Sequence, residues 1–132
     1  MRLKLTLLFL IYNSPFLSAS RVDTVMIISN SMEKSIPNIV IIPDNYFIQK
    51  DGFAVLYLLH GADGNYTDWL SKVPFIKEYA DRYNIIIVCP DGGTNSWYFD
   101  SPIDNKMKYE TYITKKLISS IDKQIYTLEQ TT

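Results

Sequence analysis

The chain has 132 residues, the size of one ordinary domain, which excludes an elaborate multidomain machine. It is 47% hydrophobic, 14% aromatic and 20% charged, the make-up of a globular protein. Thirteen basic residues against fourteen acidic give a formal charge of -1, no footprint for nucleic acid, and one cysteine excludes an internal disulfide framework.

The single histidine, His60, sets a further limit: any Ser–His or Cys–His pair within these residues has to use it. In chain order, residues 1–20 read as an export signal. Arg2 and Lys4 precede an apolar run over 5–12, and Ser18-Ala19-Ser20 offers small residues for cleavage. A membrane-spanning helix needs about 20 apolar residues, so no stable membrane anchor is expected. The mature chain then begins near Arg21 and is secreted or periplasmic. The other reading of this run is a buried first strand or helix.

Residues 22–28 (VDTVMII) and 36–42 (IPNIVII) are β-branched runs separated by polar sequence, an expected antiparallel pair. Pro37 argues that the second strand begins late or lies toward an edge. Turn chemistry at 43–45 and 50–52 leads into 53–59 (FAVLYLL), apolar throughout and therefore expected to be covered on both faces. Pro74 suits a first helical turn, and Phe75, Ile76, Tyr79, Ala80 and Tyr83 recur at helical spacing. A second buried strand at 85–89 (IIIVC) completes a βαβ unit. After a long polar loop, Tyr109, Ile113, Leu117 and Ile121 mark a last amphipathic helix.

Ligands of open α/β sheets bind beyond the carboxyl ends of the strands, where the loops 60–71 and 90–108 leave this sheet. The first begins His60-Gly61-Ala62-Asp63-Gly64. Glycines after a buried strand let backbone N–H groups turn outward, as an oxyanion hole requires; a plain strand-to-helix turn asks for the same glycines. The second loop packs Trp97, Tyr98 and Phe99 into polar sequence, either as a pocket wall or as anchors for the loop itself. Asp91, Asp100 and Asp104 match no calcium-loop spacing, which favours turn-capping carboxylates. Asn65-Tyr66-Thr67 fits the N-glycosylation sequon.

Taken together, Tyr57-Leu58-Leu59-His60-Gly61, Asn65-Tyr66-Thr67-Asp68-Trp69-Leu70, Cys89-Pro90-Asp91-Gly92-Gly93 and Asn95-Ser96-Trp97-Tyr98 resemble the secreted esterase D-type α/β hydrolases. That group includes tributyrin, acetyl xylan and feruloyl esterases and S-formylglutathione hydrolases. The resemblance covers residues 21–132. It implies the N-terminal part of an α/β-hydrolase fold: antiparallel first strands, then a β-α-β-α segment of parallel sheet. It also implies ester hydrolysis by a serine nucleophile, with no metal or organic cofactor. Ala62 would give its backbone N–H to the oxyanion hole, His60 and Gly61 would shape that turn, and Trp97 and Tyr98 would contact substrate.

The departure from the family is large. No G-x-S-x-G occurs, and the one histidine belongs to the oxyanion turn. By the family's order the catalytic Ser, Asp and His all follow the last helix, so none of the triad is present here. The expectation is a partial esterase domain, truncated before the nucleophile strand and inactive alone. It would serve a small-molecule or polysaccharide-linked ester. The alternative is a non-catalytic secreted α/β module that binds through the aromatic loop 94–102.

Overall fold

The structure, a computed structural model, describes residues 19–125. The expected export signal lies outside those residues, apart from Ala19 and Ser20. β1 (Arg21–Ser29) and β2 (Lys34–Ile42) form the expected antiparallel pair, in unbroken register from Arg21 opposite Ile42 to Ser29 opposite Lys34. The turn between them uses Glu33 at φ 53 and buries Met32.

Pro37 neither delays β2 nor makes it an edge strand. β2 is interior, paired on its other side with β4 (Ile85–Pro90), but that second ladder runs only from Asn38 to Ile41. Pro37 therefore lies just past its end, where a missing N–H leaves no gap in the β2–β4 ladder.

β3 (Ala54–Tyr57) pairs parallel with β4, giving the order β1-β2-β4-β3. The parallel connection carries α1 (Asp68–Lys72) and α2 (Ile76–Tyr83). Residues 53–59 are not covered on both faces as their composition predicts. Phe53 is buried, but Leu56 and Leu59 remain 43% and 40% exposed. Among the described residues β3 has one neighbour, which makes it an edge of the sheet, with β1 at the other edge.

Side-chain alternation sorts the sheet into two cores, as a period of two demands. Val40, Ile86 and Val88 face one way and pack with Tyr109, Tyr112, Leu117 and Ile121 of the last helix. Ile39, Ile41, Ile87 and Cys89 face the other way, against Ile76 and Ala80 of α2. Each such isoleucine contributes about 1.5–3 kcal/mol by leaving water.

Two helical stripes differ from the expected spacing. On α2 only Ile76 and Ala80 are buried, while Phe75, Tyr79 and Tyr83 face outward. The four-residue repeat from Tyr109 is interrupted as well. A helix runs through α3 (Tyr109–Thr111), a π-helical turn (Tyr112–Leu117) and α4 (Ile118–Gln124). The wider turn places Tyr112 and Leu117 on the core side and leaves Ile113 half-buried. Tyr112 also donates its hydroxyl to Asn38 Oδ1 at 2.9 Å, and Asn38 Nδ2 donates to the carbonyls of Val25 and Ile36. This polar core contact ties the helix to β2, and burial holds the Tyr112 phenol up at about 12.

Candidate active site

The loops that leave β3 and β4 meet at the carboxyl ends of those parallel strands, and His60 joins them. Its Nδ1 lies 2.8 Å from the Gly61 carbonyl and its Nε2 is 2.9 Å from the Gly92 nitrogen. A carbonyl only accepts and a backbone N–H only donates, so these partners assign the proton to Nδ1 and leave Nε2 as acceptor. Both ring nitrogens are spent on backbone, and the residue is 7% exposed. A general base needs a ring nitrogen facing the reacting hydroxyl. His60 offers none, and its observed role is to hold one loop against the other.

Tyr98 reinforces the junction. Its hydroxyl accepts the His60 backbone N–H at 2.9 Å, and its ring lies 5.5 Å from the imidazole. Desolvation holds this phenol up at about 12, so it stays neutral and keeps that role across the ordinary pH range. Tyr98 N–H donates to Ser96 Oγ, and Ser96 Oγ donates to the Gly92 carbonyl. A third link runs from Asp63 N–H to the Thr94 carbonyl at 3.2 Å.

The second loop pays a conformational cost for this arrangement. Trp97 and Tyr98 sit at φ 51 and 57, the left-handed region that side chains resist. Such residues cost about 1–3 kcal/mol each and persist only where their surroundings over-determine them. Gly92 is required for a different reason: a Cβ there would lie 2.3 Å from the Tyr98 ring. Gly92 and Ser96 enter the sequence reading only within the segments 89–93 and 95–98 that carry the family resemblance, with no role assigned to either. The adjacent Gly92-Gly93 pair signals a turn, but nothing local announces an aromatic ring packed on its backbone.

Between the loops lies a cavity of about 210 Å³, walled by His60, Gly61 and Ala62 on one side and by residues 93–98 on the other. Ala62 is exposed, and among the described residues its N–H donates to no group. An unspent N–H on a pinned loop that lines a cavity can receive a developing negative charge. Trp97 forms part of the opposite wall and is 74% exposed. Tyr98 also lines the cavity, with its hydroxyl committed to His60.

The three aspartates of the long loop each take local donors. Asp91 accepts Gly93 N–H, Asp104 accepts Lys106 N–H, and Asp100 accepts both the N–H and the hydroxyl of Thr111. The Thr111 bonds hold the Asp100 carboxyl below its usual range. Cys89 lies buried under the site, and desolvation raises its thiol to about 12, far from a nucleophilic thiolate.

Comparison with known proteins gives this geometry a context. A profile of the family described as "Putative esterase" matches residues 29–132. An acetyl esterase of Caldicellulosiruptor saccharolyticus is 32% identical over 91 residues, which are 67% of this chain and 33% of that protein. A ferulic acid esterase of known structure is 28% identical with a TM-score of 0.72, over 86% of this chain and 46% of that one. An S-formylglutathione hydrolase from Agrobacterium tumefaciens shares the fold at 15% identity and a TM-score of 0.72, over 83% and 46% of the two chains. The chain thus spans a third of the acetyl esterase and under half of either structure. With the sheet order, the crossover and the profile match in agreement, the chain belongs to this esterase family.

Proposed function

We propose that these residues form the oxyanion side of the active site of a secreted serine carboxylesterase. The observation that carries this reading is the His60 clamp, which pins Gly61 and Ala62 beside the cavity while leaving the Ala62 N–H unspent. In ester hydrolysis a serine hydroxyl attacks the carbonyl carbon, and the carbonyl oxygen gains negative charge. A fixed backbone N–H meets that charge without reorganising, and one such donor supplies about 2.7–4 kcal/mol of transition-state stabilisation. His60 acts as a positioning residue: it keeps the donor in place and moves no proton. Trp97 walls the side on which the substrate enters.

The nucleophile, its acid and its base are not among these 132 residues, which contain no G-x-S-x-G and a single, committed histidine. The chain alone therefore stabilises an intermediate that nothing in it creates, and we infer that it does not turn over esters by itself. The ferulic acid and acetyl esterase relatives support small or polysaccharide-linked esters as the substrate class. Purified chain is expected to release p-nitrophenol from p-nitrophenyl acetate no faster than a matched amount of albumin. Turnover well above that control would overturn the reading. For export, the mature N-terminus is expected near Arg21, and an exported protein that still begins at Met1 would contradict it.

A further inference from the structure

We propose that Asn65 is an acceptor site for an N-linked glycan, an inference that rests on the secretory reading above. Asn65-Tyr66-Thr67 is the one N-x-S/T triplet of the chain in which x is not proline. Sequons inside packed elements are out of reach, but this one lies in the open loop between β3 and α1. Asn65 is exposed, and it lines neither the cavity beside Ala62 nor the pocket against Trp69 and Lys72.

The side-chain geometry suits an acceptor. Thr67 donates its hydroxyl to Asn65 Oδ1 at 2.7 Å and its backbone N–H to the same oxygen at 2.8 Å. These two bonds fix the amide plane through its oxygen. Asn65 Nδ2 donates to no group among the described residues, so the nitrogen is free to react. The donor class is an oligosaccharide carried on a lipid diphosphate. Asn65 Nδ2 forms a bond to the anomeric carbon as the bond from that carbon to the diphosphate oxygen breaks. The diphosphate leaves with the electron pair, and the Nδ2 proton passes to a base of the transferase. No oxidant or reductant is needed. The attached glycan would project from the loop that follows the oxyanion turn, outside both cavities.

The test expresses the full 132-residue chain in yeast, once with its own N-terminus and once behind a yeast export signal. Behind the yeast signal, the chain is expected to gain one mobility step that peptide-N-glycosidase removes, leaving aspartate at position 65. Asn65→Gln and Thr67→Ala should lose the step, and Thr67→Ser should retain it. Digestion of newly made chain from the microsomal fraction gives the same readout even for a variant that fails to fold and leave the cell. Absence of the step in the wild-type chain, beside a glycosylated control protein in the same cells, would overturn the proposal. A step seen only behind the yeast signal would uphold the acceptor site and contradict the native export signal instead.

Discussion

β4 and β3 carry similar apolar runs and end in opposite environments. β4 is flanked by strands on both sides and covered by helices on both faces, so every residue from Ile86 to Pro90 is buried. β3 is shorter, has one neighbour among the described residues, and alternates between exposed and half-buried. An apolar run therefore reports that a strand can be buried; the neighbours decide whether it is. The same contrast divides labour. β4 anchors the molecule, while β3 is the strand whose carboxyl end presents His60-Gly61-Ala62, the proposed oxyanion turn.

The largest expected effect tests that contrast. Ile86→Ala should cost about 2–5 kcal/mol, because its cavity sits where nothing can collapse to fill it. Leu56→Ala on β3 should stay within about 0.5 kcal/mol, as for surface substitutions generally. Urea denaturation of the two variants measures both. Equal losses would mean that β3 is buried in solution by a partner or another part of the protein.

The second test moves to the loops that the strands hold. Gly92→Ala places a methyl group against the Tyr98 ring and should cost about 1–3 kcal/mol by overpacking. It should also expose the loop over residues 93–99 to limited proteolysis, which Ile86→Ala at mild temperature should not do. A variant with unchanged melting and unchanged cleavage would show that the ring does not pack on this backbone.

The smallest effect is electrostatic. The Asp100 carboxyl is held below its usual range by Thr111, so its contribution to stability is complete above the unfolded value near 3.9 and falls away as pH drops through the folded value. Thermal melts from pH 7 to pH 2 should therefore show a shallower acid decline for Asp100→Asn than for the wild-type chain. Parallel declines would remove the linkage.

Much of this was legible in the sequence, and the failures have physical causes. The antiparallel pair, the crossover and the buried strand at 85–89 followed from β-branched runs and turn residues, which act locally. The order of strands did not, since only pairing shows that β4 enters between β2 and β3. The π-helical turn was hidden because a repeat at 109, 113, 117 and 121 assumes constant pitch, whereas the wider turn starts at Tyr112, which is buried and bonded to Asn38. At the site, His60-Gly61-Ala62 stood out by its glycine after an apolar strand. The Gly92 and Tyr98 contacts did not, because a close approach across 6 residues of loop leaves no local pattern.

The central claim is that this chain carries an oxyanion donor and no activated serine beside it. Fluorophosphonates react covalently with serines activated by a neighbouring base, which makes intact-mass measurement after probe treatment the direct test. The chain is expected to keep its unmodified mass while a complete serine hydrolase in the same tube takes up one probe. A stoichiometric adduct on any serine of this chain would contradict the account.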